Sequence, residues 1–391
     1  MAIEVSKLHE QRPRIRLGMV GGGQGAFIGT IHRIAARVDD RYELLAGALS
    51  SDPSRAAASA AELHIAADRI YSSFYEMAER EAARSDGVEA VSIVTPNNLH
   101  FPAAKAFLEA GIHVICDKPL TTTSAEAEEL VALAEQSGKV FAVTYNYTGY
   151  PMIRQARAMV AAGELGKLRL VNVEFAQDWL TGPVEQSGSK QAEWRTDPNR
   201  AGAGGCIGDI GTHAYNLASF VSGLKTDALL AQLTSFVDGR RVDDDARILL
   251  RYKGDAHGML WASQVAPGNE NALGLRIYGD RAGLEWNQAD PNYLWFTRLG
   301  EPKQVLTRGG SGVWQASQRV TRTPGGHPEG YLEGFATIYT EVALAIEAAR
   351  MGETASDEVI YPSIRDGLDG MYFIETAITS SRTGNVWTKI K

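Results

Sequence analysis

The chain has 391 residues, of which 44% are hydrophobic and 22% charged, as in ordinary soluble globular proteins of two or three domains. Its formal charge of −8, from 39 basic and 47 acidic residues, argues against nucleic acid as a partner because phosphate binders are usually basic. The two cysteines are too few for a disulfide framework. The N-terminus lacks the apolar core of a signal peptide, and no apolar run is long enough to span a membrane. We therefore expect a cytoplasmic protein without a membrane partner.

The first third of the sequence alternates short apolar strands with helices. Strands are predicted at Arg14–Val20, Tyr42–Leu49, Ala90–Val94 and His113–Cys116. Helices are predicted at Ile28–Val38, Pro53–Leu63 and Pro102–Ala110, and a capping box of Thr123 and Glu126 opens another that ends near Gln136. Strands separated by such helices form parallel βαβ units. We therefore predict a Rossmann-type, doubly wound parallel sheet that makes residues 1–143 a dinucleotide-binding domain, with residues 1–13 as an N-terminal extension.

Residues 144–391 have a different rhythm, with closely spaced strands between helices. The predicted strands are Leu168–Asp178, Leu229–Val237, Ala246–Tyr252, His257–Gln264, Leu273–Tyr278 and Tyr293–Arg298. The predicted helices are Pro151–Ala162, Gly211–Val221, Gly330–Arg350 and Tyr361–Thr383. Strands joined by short turns favour a large, mainly antiparallel open sheet, and we expect the last three helices to cover one face of it in an α/β domain that binds substrate.

A glycine-rich turn, Gly21 to Gly29, lies where the first predicted strand meets the first helix. Glycines there let the backbone approach a pyrophosphate, and the helix N-terminus offers free N–H groups. The third glycine position of the motif is either Ala26 or Gly29, and a tight turn without a ligand is the alternative interpretation. The predicted cofactor contacts in this turn are Gly21, Gly23, Gln24, Ala26, Phe27 and Ile28.

The end of the second predicted strand bears on the choice of cofactor. Ser50 occupies the position where an acidic residue usually binds the adenosine ribose. Without that carboxylate the site could accept a 2′-phosphate, which Arg55 could reach, whereas Ser50 and Ser51 can hydrogen-bond a ribose hydroxyl. Asp52 is interpreted as a helix cap. We favour NAD as the cofactor, with NADP as the open alternative.

Three ionisable residues carry the predicted chemistry. Lys118 directly follows an apolar strand, at the carboxyl edge where ligands of parallel sheets bind. Asp209 and His213 lie four residues apart in a glycine-rich segment, so they share one face if a helix starts near Asp209. A carboxylate beside an imidazole raises its basicity, as a general base requires. The alternatives are a lysine in a turn, a capping aspartate and a histidine buried in the core.

These motifs span about residues 14–221. In type and in order they resemble those of the glucose–fructose oxidoreductase and inositol dehydrogenase (Gfo/Idh/MocA) family. The resemblance also rests on Thr95-Pro96-Asn97-Asn98, Asp117-Lys118-Pro119 and Tyr145-Asn146-Tyr147. It implies that Lys118, Asp209 and His213 form a catalytic triad. It adds to the cofactor site Thr95, Pro96, Asn97, His100, Asp117, Lys118 and Asn146. Asp117 stands where glutamate is commoner in the family, and the glycine turn is longer.

The resemblance implies oxidation of a secondary alcohol on a cyclic polyol or sugar by NAD(P), with an inositol-type ring as the first expectation and an aldopyranose as the second. We expect His213 to accept the hydroxyl proton while Asp209 holds its ring, and Lys118 to bind the same oxygen. Exchanged roles of Lys118 and His213 stay open. The alternatives are an NADPH-dependent reductase of a keto-sugar or related carbonyl or imine, and a non-catalytic dinucleotide-binding sensor.

Further substrate contacts are predicted because aromatic faces pack on sugar C–H groups and charged side chains bond hydroxyls. Besides the triad they are Tyr147, Trp179, Arg195 and His327; core packing is the alternative for the tryptophan and loop capping for His327. No metal site is predicted, and Asp243-Asp244-Asp245 is interpreted as a solvated turn because it lacks a calcium-loop pattern. By analogy with the family we expect a homodimer or homotetramer formed through the C-terminal sheet.

Overall fold

The computed structural model describes residues 13–391, so the predicted N-terminal extension lies almost entirely outside it. Five parallel strands form the first sheet in the order β2-β1-β3-β4-β5. They are β1 (Ile15–Gly21), β2 (Tyr42–Ala48), β3 (Ala90–Val94), β4 (His113–Cys116) and β5 (Phe141–Val143). The helices of this part are α1 (Phe27–Val38), α2 (Pro53–Glu62), α3 (Phe74–Ala82), α4 (His100–Glu109) and α5 (Ser124–Ser137). The predicted Rossmann-type sheet is confirmed.

Nine strands form the second sheet in the order β13-β12-β11-β10-β6-β9-β8-β7-β14, and all neighbours are antiparallel except β6 and β9. They are β6 (Leu168–Ala176), β7 (Thr226–Thr234), β8 (Asp245–Tyr252), β9 (His257–Ser263), β10 (Ala272–Gly279), β11 (Ala282–Asn287), β12 (Tyr293–Arg298), β13 (Gln304–Thr307) and β14 (Thr388–Lys389). The remaining helices are α6 (Pro151–Ala161), α7 (Lys190–Arg195), α8 (Pro198–Ala201), α9 (Thr212–Ser222), α10 (Gln315–Gln318), α11 (Tyr331–Arg350) and α12 (Ile364–Arg382). The predicted mainly antiparallel sheet is also confirmed.

Helix α11 packs on the first sheet rather than the second. Its Phe335 and Ile346 are buried in one apolar cluster with Leu17 of β1, and the Tyr42 hydroxyl donates to the backbone carbonyl of Tyr339 at 2.8 Å. The expectation that α11 covers the antiparallel sheet is therefore wrong, whereas α9 and α12 do lie against it. Periodicity shows that a helix has an apolar face but not which sheet buries it. This packing brings the amino end of α11 to the region between the two sheets.

The second sheet has one covered and one open face. Along β8, Ile248 and Leu250 are buried while Leu249 between them is 46% exposed, as the alternation of side chains along a strand requires. Leu249 pairs with Met259 of β9, which is 45% exposed. The open face therefore carries apolar side chains in contact with solvent. Within residues 13–391 no helix combines the length and hydropathy needed to cross a bilayer.

Candidate functional site

Lys118 and Asp209 meet at the carboxyl edge of the parallel sheet. Lys118 follows β4, and its Nζ donates to Asp209 Oδ1 at 2.9 Å and to the Asp209 backbone carbonyl at 2.6 Å. The two side chains are only 12% and 17% exposed. Residues that are 91 positions apart in sequence thus form a shielded ion pair where parallel sheets bind their ligands.

Asp209 is the centre of a charged network. Gln264 Nε2 donates to its Oδ2 at 2.9 Å, and Arg195 Nε lies 3.3 Å from the same oxygen. Burial alone would raise the pKa of Asp209, but the charges of Lys118 and Arg195 and the hydrogen bonds from Lys118 and Gln264 hold it well below its usual value. The carboxylate is therefore ionised across the physiological pH range. Arg195 reaches the site as predicted, whereas Gln264, just after β9, was missed.

His213 does not contact Asp209 through a hydrogen bond. Residues Ile207–Gly211 form a π-helical turn ahead of α9, and the wider turn removes the alignment of positions four apart that an α-helix gives. His213 Nδ1 is buried without a hydrogen-bond partner among the described residues. The prediction that Asp209 holds the imidazole is therefore wrong: Asp209 orients Lys118.

Aromatic rings surround the imidazole of His213. The ring centroids of Tyr145 and Tyr147 lie 5.7 and 5.0 Å from it, edge to face, and that of Phe175 lies at 6.4 Å. Burial in this cage, together with the charge of Lys118, lowers the pKa of His213 to about 3. His213 is thus a neutral imidazole close to a cationic lysine.

The glycine turn has the geometry of a pyrophosphate site. Gly21, Gly22 and Gly25 adopt φ values of 78°, 72° and 78°, which side chains other than glycine rarely adopt. A Cβ on Gly29 would lie 2.4 Å from Gly22 Cα, so Gly29 takes the third glycine position of the motif and lets α1 pack on β1. The first turn of α1 has no side-chain cap, which leaves its N–H groups for an anion.

A cavity of about 430 Å³ opens at this turn, on the scale of a small-molecule site. Its walls include the predicted cofactor contacts Gly23, Gln24, Ala26 and Phe27. Phe27 is 64% exposed beside it. At the end of β2, Ser50 Oγ accepts from the Asp52 amide at 3.1 Å, and Asp52 caps α2, as its sequence position indicates. Ser51 and Arg55 are exposed there.

Of the eleven buried side-chain polar atoms that lack a partner among the described residues, two follow strands of the first sheet. They are Thr95 Oγ1, at the end of β3, and Asn146 Nδ2, shortly after β5. Buried polar groups in protein structures nearly always have a hydrogen-bond partner. These orphaned atoms, together with the uncapped α1, fit a dinucleotide bound along the carboxyl ends of β1, β3 and β5.

Other residues of the predicted cofactor site hold its loops. His100 is fully buried and bonds the backbone carbonyls of Pro119 and Thr95 at 2.8 and 3.0 Å, so its predicted contact with the cofactor is wrong. Asn97 Nδ2 donates to the carbonyl of Ala201 at 2.9 Å. Asp117 Oδ1 accepts from the Lys118 amide and from the Thr144 hydroxyl. Pro96 starts the short turn that carries Asn97.

A chain of amide side chains borders the cleft near His213. Asn271 Nδ2 donates to the Tyr147 hydroxyl at 3.3 Å, and Gln177 links Asn271 to the indole N–H of Trp179. Asn271 also bonds Gln288. Tyr147 and Trp179 were predicted; the amides were missed because they come from separate strand ends without a motif.

Two residues near the amino end of α11, Tyr331 and His327, bear on the composition of the site. The ring centroid of Tyr331 lies 6.5 Å from that of Tyr147, so α11 brings an unpredicted phenol to the cleft. His327 is exposed and its backbone carbonyl accepts from Arg308. Within residues 13–391 no hydrogen bond or ring contact links the His327 side chain to the triad, and its contact with substrate stays a prediction.

Comparisons with known proteins agree with this geometry. Residues 15–145 match the model of an oxidoreductase family with an NAD-binding Rossmann fold, and residues 153–285 match the GFO/IDH/MocA C-terminal domain. An uncharacterized oxidoreductase of Bacillus subtilis, YfiI, is 38% identical over 96% of this chain and 97% of its own. The levoglucosan dehydrogenase of Pseudarthrobacter phenanthrenivorans is 26% identical over 96% and 98%.

Several solved structures are similar over nearly the whole chain, among them the following two. An inositol dehydrogenase homologue from Azotobacter vinelandii, complexed with NADH and myo-inositol, has a TM-score of 0.90 and 38% identity and covers 96% of this chain and 97% of its own. An oxidoreductase from Sinorhizobium meliloti has a TM-score of 0.88 and 55% identity over 97% and 100%. The fold and the NAD-binding role of the N-terminal part are therefore shared with known oxidoreductases.

Proposed function

This chain belongs to the GFO/IDH/MocA family of NAD-binding oxidoreductases, and from that premise we propose that it oxidises a secondary alcohol of a cyclic polyol or sugar with NAD⁺. An inositol-type ring is the first candidate substrate and an aldopyranose the second. The observation that carries the proposal is the shielded contact of Lys118 with Asp209 next to the neutral His213. A sensor that only binds a dinucleotide has no use for this arrangement.

NAD⁺, when bound, supplies the hydride acceptor. The chain's own residues then bind the alcohol and move its proton. The Lys118 ammonium has three N–H donors, of which two serve Asp209; the third binds the hydroxyl oxygen that becomes the carbonyl. The hydroxyl proton moves toward His213 Nε2 as the hydride leaves the same carbon, and because the low pKa of the imidazole does not let it keep this proton, the proton passes on to solvent. The alcohol thus loses both hydrogens and becomes a ketone. Developing negative charge on the oxygen is stabilised by the ammonium.

The rest of the cleft suits a polyhydroxylated ring. Arg195, Asn271 and Gln177 present hydrogen-bonding groups, and Trp179 and Tyr147 present aromatic surface. Rings with hydroxyls on their edges and C–H groups on their faces bind to such mixtures. The presence of myo-inositol in the Azotobacter vinelandii homologue places inositols first among the probes.

The test is a screen of inositols, hexoses and keto-sugars with each nicotinamide cofactor. Turnover is monitored through the absorbance of the reduced cofactor. We expect NADH to form from NAD⁺ with at least one inositol or pyranose. Turnover confined to keto-sugars with NADPH would establish the reductase instead. Tight NADH binding without turnover of any probe would contradict the proposed activity and favour the sensor.

We also propose that the open face of the second sheet forms an interface between copies of this chain. Leu249 and Met259 lie on that face with Leu170 and Trp295, each 43–46% exposed, and exposed apolar patches commonly mark such interfaces. Light scattering should give a multiple of the 42.3 kDa chain mass. Leu249→Asp should lower that mass, while Leu299→Asp, at a hairpin tip that is 83% exposed, should not. A wild-type monomer would contradict the interface.

A further inference from the structure

The connection between β7 and β8 leads into a run of three aspartates, of which Asp243 is partly exposed and the other two are buried. Asp244 and Asp245 are 0% and 3% exposed, so the interpretation of this run as a solvated turn is wrong. Asp244 accepts from the backbone N–H groups of Phe236 and Val237 and pairs with Arg240 at 3.1 Å. These bonds hold the connection in a fixed conformation and fix the place of Asp243 beside the site.

Asp243 binds the beginning of the helical segment that carries the site residues. Its Oδ1 accepts from the Gly205 amide and its Oδ2 from the Ile207 amide, both at 2.7 Å, and its backbone carbonyl accepts from Cys206 at 2.8 Å. Three consecutive N–H groups at the start of a helix, which lack partners within the helix, are thereby satisfied by one residue. A Cβ on Gly205 would lie 2.2 Å from the Asp243 carbonyl oxygen, so the close approach requires glycine there.

Only one residue, Gly208, separates this anchor from Asp209. The π-helical turn Ile207–Gly211 begins at an amide that Asp243 holds, and Asp209 in that turn holds Lys118 with both its carboxylate and its backbone carbonyl. A π turn is a less favourable geometry than the α-helix, so its position depends on bonds from outside. The anchor on Asp243 therefore sets where the ammonium of Lys118 lies.

We propose that Asp243 is a positioning residue for the dehydrogenation: its carboxylate fixes the amino end of the π turn and, through Asp209, the position of Lys118. The inference rests on the proposed function of this site. In the part of the chain that the structure describes, the hydrogen bonds of Asp243 go to the amides of Gly205, Cys206 and Ile207 and not to the triad. Its effect is carried by backbone amides.

The charge state of Asp243 makes the anchor sensitive to pH. The titratable groups that face Asp243 are Asp244 on its own segment, already paired with Arg240, and the Cys206 thiol on the helical segment. Burial, with a smaller contribution from the charge of Asp244, raises the pKa of Asp243 to about 6 despite the hydrogen bonds from the two amides. The carboxylate is ionised above that pH and protonated below it. Its bonds to Gly205 and Ile207 thus weaken as the pH falls through about 6.

Neither site residue titrates in the same range. His213 has a pKa of about 3 and the pKa of Asp209 is lower than usual. A loss of activity near pH 6 that disappears in Asp243→Asn would therefore identify the carboxyl of Asp243 as the titrating group, and not His213, whose unperturbed pKa lies in this range. This separates the positioning role from a titration of the proton acceptor.

The kinetic test compares Asp243→Asn with Asp238→Asn, an exposed aspartate of the same connection. The asparagine keeps one acceptor but turns an NH₂ group toward the other amide. With NAD⁺ and myo-inositol as probes at pH 5–9, we expect Asp243→Asn to reduce kcat at pH 8 about tenfold or more and to abolish the acid limb near pH 6. NADH affinity should stay within about twofold, since the glycine turn is unaltered, and Asp238→Asn should match the wild type.

Hydrogen exchange of the wild type provides a readout that needs neither a variant nor turnover. After correction for intrinsic rates, the amides of residues 205–207 should lose protection between pH 7 and pH 5, while those of β9 keep theirs. If no polyol is oxidised but this protection changes, the proposed function fails and the anchor stands. Unchanged protection, or an Asp243→Asn enzyme with wild-type kcat and an intact acid limb, would overturn the inference. A loss of kcat in Asp243→Asn that is no larger than its loss of folded protein would also overturn the inference.

Discussion

Lys118→Ala is expected to reduce kcat about a thousandfold, the upper end of what removing one preorganised donor costs. The alanine removes the ammonium that binds the reacting oxygen and leaves Asp209 with Gln264 and Arg195 as partners. Affinity for NADH, measured by fluorescence titration, should change less than about threefold because the glycine turn and α1 hold the dinucleotide. The effect thus falls on the chemical step and not on cofactor binding.

The matched control for this substitution is Lys105→Ala. Lys105 is an exposed lysine of α4 whose Nζ pairs with Glu129 on α5, and exposed pairs contribute little to stability. Its variant should turn over like the wild type. A Lys118→Ala enzyme that retains near-normal kcat would rule out a role of the ammonium at the reacting oxygen.

Asp209→Asn is expected to lower kcat about a hundredfold, because the ammonium that stabilises the transition state is no longer held in place. The amide can accept through only one of its two groups, so either Lys118 or Gln264 faces an NH₂ where it now meets an oxygen. Two largely shielded cations, Lys118 and Arg195, also lose their carboxylate, which lowers stability. The apparent Tm should therefore fall together with kcat.

Asp290→Asn is the charge-matched control for that substitution. Asp290 is exposed, and only its backbone groups take part in hydrogen bonds within the described chain. Its variant should keep both kcat and Tm. An Asp209→Asn enzyme with unchanged kcat would show that the ion pair with Lys118 is structural and not catalytic.

Most helices and strands follow from local signals in the sequence. The strands Ala90–Val94 and His113–Cys116 are predicted to the residue, and the capping box of Thr123 and Glu126 opens α5 as expected. Strand β14 has two residues and pairs, within residues 13–391, with β7 alone. It exists because of a long-range pairing, which no local pattern indicates.

The site is predictable where a motif carries it and not where tertiary packing decides. The Lys118 and Asp209 motifs lead correctly to one cluster. The partner of His213 was wrong because the π turn adds a residue that spacing rules for α-helices do not include. The places of Gln264 and Asp243 near the site were not predicted, because the sequence around an amide or carboxylate at a strand end is the same whether the side chain faces water or the site. Their burial depends on segments distant in sequence.

The ion pair between Lys118 and Asp209 can be tested most directly by a double-mutant cycle on kcat. If Asp209 acts by placing the Lys118 ammonium at the reacting oxygen, it has nothing left to place in Lys118→Ala. The variant that combines Lys118→Ala with Asp209→Asn should then have about the same kcat as Lys118→Ala alone, roughly a thousandfold below the wild type. Losses that multiply, to roughly a hundred-thousandfold, would contradict that coupling and show that the two side chains act independently.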